Sequence, residues 1–196
     1  GGKDTLHRPE ITPGADYLCF TDQPEACEHL GWEVKRLDNP YGNTPDGWCR
    51  SAKRTKILPH VWLPSGYDYS VWIAASRHPT KDLNPLIAKS GKFGLFWHYK
   101  VGRKLSQEAQ VCIESNKDSS EVINKHISRF DAETLDLPVY MGGFLFRAHN
   151  DPAVIGVMNR WWSLVESGSR RDQLSLPAAI SQEGFRPNVF PGADHY

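Results

Sequence analysis

Along this chain, short apolar runs of strand length alternate with stretches whose apolar residues recur at helical spacing. The run Ala15 to Thr21 (ADYLCFT) closes on Asp22, Gln23 and Pro24 and predicts a buried strand entering a loop. Trp32, Val34 and Leu37 predict a weaker second strand, and 39–48 (NPYGNTPDGW), dense in Pro, Gly, Asn and Asp, a loop. From Cys49 to Leu58 (CRSAKRTKIL) no breaker occurs before Pro59, which predicts a short basic helix. Tyr67 to Ala74 predicts a central strand, Leu83 to Lys89 a short helix, and Gly94 to Tyr99 another strand. Residues 106–129 have the pattern of a helix, and 137–147 (LPVYMGGFLFR) of a loop, paired glycines and then a strand. Pro152 to Glu166 predicts an amphipathic helix with Trp161 and Trp162 in the core, and 173–180 the start of a further helix limited by Pro177. This alternation predicts an α/β fold.

Composition narrows the function classes. With 196 residues, one sizeable core and a single domain over 1–196 are expected. Lys plus Arg and Asp plus Glu stand at 23 each, so bulk charge draws the chain to neither nucleic acid nor an anionic membrane, and an anionic ligand needs a local cluster. No apolar run reaches the roughly 18 to 20 residues of a membrane helix, so no membrane segment is expected. Cys19, Cys27, Cys49 and Cys112 lack metal-type spacing and read as reduced thiols. The expected setting is cytoplasmic, or a soluble catalytic domain cut from a larger protein.

Two basic clusters could supply local charge. Arg50, Lys53 and Arg54 share a helix face and could neutralise a diphosphate, although a solvated face is by itself the commoner explanation. Arg171, Asp172 and Gln173 could combine phosphate or hydroxyl recognition with one carboxylate for proton transfer, and Asp172 could equally be a plain helix-start carboxylate. Gly142 and Gly143 permit close backbone approach to a ligand, or simply form a tight turn. His98, His149 and His195 are too far apart in sequence to define a metal site, and only His195 is kept as a candidate ligand.

Taken together, DYLCFTD (16–22), CRSAKRTKILPH (49–60), YSVWIAAS (69–76), WHYKVGRKLSQEA (97–109) and RRDQLSL (170–176) resemble one family. It is the glycosyltransferase-like domain of plant turgor-defect and mucilage-related proteins, which has bacterial and viral relatives. The resemblance spans nearly the whole chain and implies a GT-A type fold, a central mixed sheet flanked by helices. It implies transfer of a sugar from a nucleotide-diphospho sugar, a UDP-sugar first, to a glycan or other hydroxyl acceptor. Phe20, Thr21 and Asp22 would meet the base and ribose, Arg50 and Lys53 the diphosphate, and Arg171 and Gln173 the phosphate or sugar hydroxyls. Ser76 would border the donor, and Gly142 and Gly143 would let its sugar approach the backbone. Asp172 would be the key carboxylate, and His98 and Arg103 would contact phosphate or acceptor.

The resemblance also implies Mn²⁺ or Mg²⁺ on the diphosphate, held by an aspartate that follows Trp-Ile in the central strand. Here that position is Ala74, which has no oxygen to offer. An introduced Asp-to-Ala change, a natural inactive member, or a metal held by other groups each explains it. The intact flanks Tyr69 to Ile73 and Ser76 favour the first. A catalytically silent nucleotide- or carbohydrate-binding module of the same fold is the alternative function. Gly1 to Pro9 resembles the loop after the family's opening strand, so that strand is expected to be missing.

Overall fold

The structure is a computed structural model that describes residues 6–8, 12–27, 30–77 and 79–192. The chain is a mixed α/β protein. A two-stranded parallel sheet pairs β1 (Leu18–Thr21) with β2 (Glu33–Arg36). A four-stranded sheet joins β3 (Ser70–Ile73), β4 (Phe93–Trp97), β5 (Tyr140–Arg147) and β6 (Asn188–Phe190) in the order β3-β5-β4-β6. β5 runs antiparallel to both β3 and β4, whereas β6 runs parallel to β4. The expected single central sheet is therefore two sheets among the described residues, of which the larger is mixed.

Alternation along the strands sorts the core onto two faces. Trp72, Phe93, Leu95 and Leu145 pack under α1 (Pro45–Ile57), α7 (Pro152–Glu166) and α8 (Leu176–Gln182), with Trp161 fully buried among them. Val71, Ile73, Phe96, Phe144 and Phe146 point the other way, toward Leu83, Leu86 and Ile87 at α3 (Asn84–Lys89). Trp161 and Trp162 thus serve the core, as their place on an amphipathic helix suggested.

Several boundaries differ from the sequence pattern for local reasons. α1 begins at Pro45, inside the run that reads as a loop. Thr44 caps it by accepting a hydrogen bond from the Gly47 amide, and Pro45 fits the first turn, where its missing N–H costs nothing. A Cβ on Gly47 would come within 2.1 Å of the Gly42 carbonyl oxygen, so the close approach of that turn requires glycine. The predicted helix over 106–129 is two helices, α4 (Leu105–Glu114) and α5 (Ser120–Ile127). Asn116 breaks the run at φ 50, and Ser119 caps the second helix through the Val122 amide. Gly142 and Gly143 lie inside β5 rather than before it. Pro177 sits in the first turn of α8 and so helps to start that helix rather than limit it. Two further short helices, α2 (Pro59–Trp62) and α6 (Ala132–Leu135), are not legible in the pattern.

None of the four cysteines forms a disulfide. Among the described residues no helix is long and apolar enough to cross a membrane.

Candidate functional site

α1 carries Lys53 and Lys56 three residues apart, so both ammonium groups leave one helix face. A 3-10 turn over Asp172–Leu174 brings Asp172 between them. Lys53 Nζ lies 2.9 Å from Asp172 Oδ1, and Lys56 Nζ 2.5 Å from Oδ2. The turn is fixed from behind, because Trp161 Nε1 donates to the Asp172 carbonyl at 2.8 Å. Gln173 Nε2 anchors it to β5 by donating to the Tyr140 carbonyl at 3.1 Å.

Burial alone would raise the Asp172 carboxyl, but Lys53 and Lys56 outweigh it and hold the group below the usual carboxylate range. Burial pushes Lys56 down to about 8 against the pull of Asp172, which leaves it charged at neutral pH. Two ammonium groups against one carboxylate leave one net positive charge at the site. β5 makes room for this cluster, since a Cβ on Gly142 would come within 2.8 Å of Lys56 Nζ. That places Gly142 where the sequence expected close approach, but here the approaching group is a lysine of the protein itself.

The cluster borders a cleft of about 1600 Å³ between the two sheets. Ordinary small-ligand pockets hold about 300–1,000 Å³, so this space has room for an extended ligand. Phe20, Thr21 and Asp22 line it at the end of β1, and Ala74 and Ser76 at the end of β3. Lys53, His98, Gly142, Gly143, Arg171, Asp172 and Gln173 also line it. Residues as distant in sequence as Phe20 and Gln173 thus face one space.

Arg50 is placed elsewhere. Its Nε pairs with Asp46 at 2.8 Å, and its terminal nitrogens donate to the carbonyls of Val165 (2.7 Å) and Gly168 (3.0 Å). It clamps the end of α7 and does not line the cleft. Arg54 stacks on the Trp62 ring at 4.7 Å, so the predicted basic face divides three ways and only Lys53 turns to the cleft. Arg103 also lies off the cleft and holds Glu108 Oε2 at 2.9 Å. His98 Nε2 is 3.9 Å from that same oxygen, and His98 Nδ1 accepts from the Lys100 amide at 3.2 Å. Burial depresses the His98 imidazole, which keeps it neutral near pH 7. His195 lies outside the described residues.

Sequence reasoning passed over Lys56, Arg77 and Glu108. Lys56 follows Lys53 at i+3 and is legible on that spacing, but the basic face drawn through Arg50, Lys53 and Arg54 stops short of it. Glu108 is buried in the polar pattern of α4, and Arg77 follows the strand end without a periodic signal.

A divalent cation such as Mn²⁺ or Mg²⁺ requires several oxygen ligands. The Ala74 amide donates to the Gly143 carbonyl at 2.9 Å, and the Ala74 carbonyl accepts from the Arg77 amide at 2.8 Å. The Arg77 guanidinium packs on Gly143, where a Cβ would come within 3.2 Å of its Nε. Both oxygens of Asp172 are already held by ammonium groups. Among the described residues no three His, Cys, Asp or Glu side chains gather in a metal-binding group. The donor set around Ala74 therefore does not fit the metal that the resemblance implies.

No protein-family model matches the chain, and no curated protein sequence matches it.

Proposed function

We propose that this chain is a glycosyltransferase-type domain of GT-A architecture, whose cleft takes a nucleotide-diphospho sugar, a UDP-sugar first, and passes the sugar to a glycan hydroxyl. The observation that carries this reading is the buried Lys53–Asp172–Lys56 cluster beside the glycine pair of β5. A net positive, partly desolvated cluster in a large cleft suits a diphosphate, since low local dielectric strengthens its attraction for charge. Phe20, Thr21 and Asp22 line the same space at a strand end, where open α/β sheets commonly take nucleotides.

In the transfer, the acceptor oxygen bonds to the anomeric carbon. The bond from that carbon to the diphosphate oxygen breaks, and its electron pair leaves with the diphosphate. Lys53 and Lys56 would offset the charge that develops there. The hydroxyl proton passes to a carboxylate that borders the cleft, Asp172 or Glu108.

A second reading, a silent nucleotide- or carbohydrate-binding module, is favoured by two observations. Ala74 offers no metal ligand, and Asp172, held by two lysines, is a weak base while they stay in place. Calorimetric titration of UDP and GDP, with EDTA and with Mn²⁺, together with a turnover assay on UDP-sugars and GDP-sugars under the same conditions, tests both readings. Nucleotide binding accompanied by donor turnover supports the transferase, and binding without turnover supports the silent module. Absence of nucleotide binding under every metal condition removes both.

A further inference from the structure

The two lysines that hold Asp172 are not equivalent. The Lys56 side chain is 4% exposed and lies 5.5 Å over the Trp161 ring, with its backbone carbonyl accepting from the buried Arg147 guanidinium at 2.7 Å. It cannot leave Asp172 without opening the core. Both lysines line the cleft, but the Lys53 side chain is 23% exposed, and its flexible four-carbon stem can turn outward at little cost. Asp172 Oδ1 is thus held by a mobile cation, and Oδ2 by a fixed one.

We propose that a diphosphate binds here without a divalent metal by taking Lys53 from Asp172, so that ligand binding itself exposes Asp172 Oδ1 to the cleft. This rests on the reading above that the cleft accepts a diphosphate ligand. A diphosphate group carries more negative charge than one carboxylate and competes for Lys53 on that ground. Once Lys53 has moved, Lys56 still holds Oδ2, and Oδ1 is free to accept a hydrogen bond from a sugar or acceptor hydroxyl. Arg77, exposed at the end of β3 and lining the cleft, adds positive charge on the Gly143 side. Charge that the resemblance assigns to a metal ion is supplied here by side chains.

The test is calorimetric titration of the full chain with inorganic pyrophosphate and with UDP, both in EDTA. Wild type is expected to bind pyrophosphate, Lys53→Ala to bind it at least about tenfold more weakly, and Lys53→Arg to recover most of the loss. Asp172→Asn is expected to bind pyrophosphate more tightly than wild type, because the competing carboxylate charge is gone. A site that Asp172 merely organises, or where it holds a metal, gives the opposite sign. If Asp172→Asn does not fold, the two Lys53 variants carry the decision. Pyrophosphate affinity unchanged in Lys53→Ala, or wild-type binding seen only when Mn²⁺ replaces EDTA, overturns the proposal, as does failure of wild type to bind pyrophosphate at all. UDP binding no tighter than pyrophosphate leaves the exchange of Lys53 standing and removes the nucleotide reading.

Discussion

Lys56 and Asp172 meet at 2.5 Å across 116 residues of chain, and both side chains are almost wholly shielded from water. Breaking such a pair from one side leaves a buried charge less compensated, and typically costs about 3–5 kcal/mol. Lys56→Met is expected to lose stability in that range in urea unfolding followed by tryptophan fluorescence. The double variant Lys56→Met with Asp172→Leu is expected to recover much of it, because no buried carboxylate is then left facing an apolar side chain. A double variant no more stable than the single one would mean that the pair is not the source of the loss.

Arg50 ties α1 to the end of α7 through the carbonyls of Val165 and Gly168. Hydrogen bonds from a charged donor contribute about 1.5–3 kcal/mol each. Arg50→Ala is expected to lower Tm by several degrees while leaving affinity for pyrophosphate within about twofold of wild type. A loss of affinity with unchanged Tm would return Arg50 to the binding site.

His126 gives the protein an acid limit. It is buried, its Nδ1 faces Arg129 at 2.7 Å and its Nε2 faces Ser175 Oγ at 3.1 Å. Burial first, and Arg129 second, push its pKa down from 6.5 to about 4. The unfolded chain therefore takes a proton below pH 6.5 that the folded chain refuses until about 4. Stability from this group is full above pH 6.5 and is lost as the pH falls to about 4, by about 3 kcal/mol. Burial shifts His60, His98 and His149 in the same direction. Urea midpoints measured from pH 7 to 4 are expected to fall, with a shallower slope in His126→Gln. Equal slopes in the two proteins would remove His126 from the account.

Ala74→Asp would add a carboxylate at the end of β3, where residue 74 lines the cleft. In EDTA the added negative charge is expected to weaken pyrophosphate binding. Mn²⁺ is expected to restore or exceed wild-type affinity and to bring donor turnover. Titrations with and without Mn²⁺ check this, and affinity indifferent to the metal would show that Ala74 is not a vacated ligand position.

Gly142→Ala tests the crowding at β5. The added Cβ would press on Lys56 Nζ, so the lysine must shift from Asp172 or the strand must move. Overpacking of this kind costs about 1–3 kcal/mol, and a fall of that size in urea stability is expected.

Much of the fold was legible because periodicity reports burial directly. The alternation in YSVWIA and FLFR puts Trp72 and Leu145 on one face of the sheet and Val71, Phe144 and Phe146 on the other. The amphipathic spacing of 152–166 placed Trp161 in the core. What was misread is where single residues outweigh period. Thr44 and Pro45 start a helix within a run whose Pro, Gly, Asn and Asp residues read as a loop, and Asn116 splits one helix into two. The division of the large sheet from the β1–β2 pair depends on long-range pairing that no local window contains.

The sequence by itself determined the α/β class, the basic segment over 49–58 and the RRDQ cluster, because residue type and spacing state which charges share a helix turn. Only the tertiary structure decided which charge meets which. It sent Arg50 to carbonyls of α7, Arg54 to Trp62, and Lys53 and the overlooked Lys56 to one carboxylate. The physical reason is that ion pairing depends on distance and burial, and residues 116 apart acquire both only when α1 packs against α7 and the turn at Asp172 closes over β5.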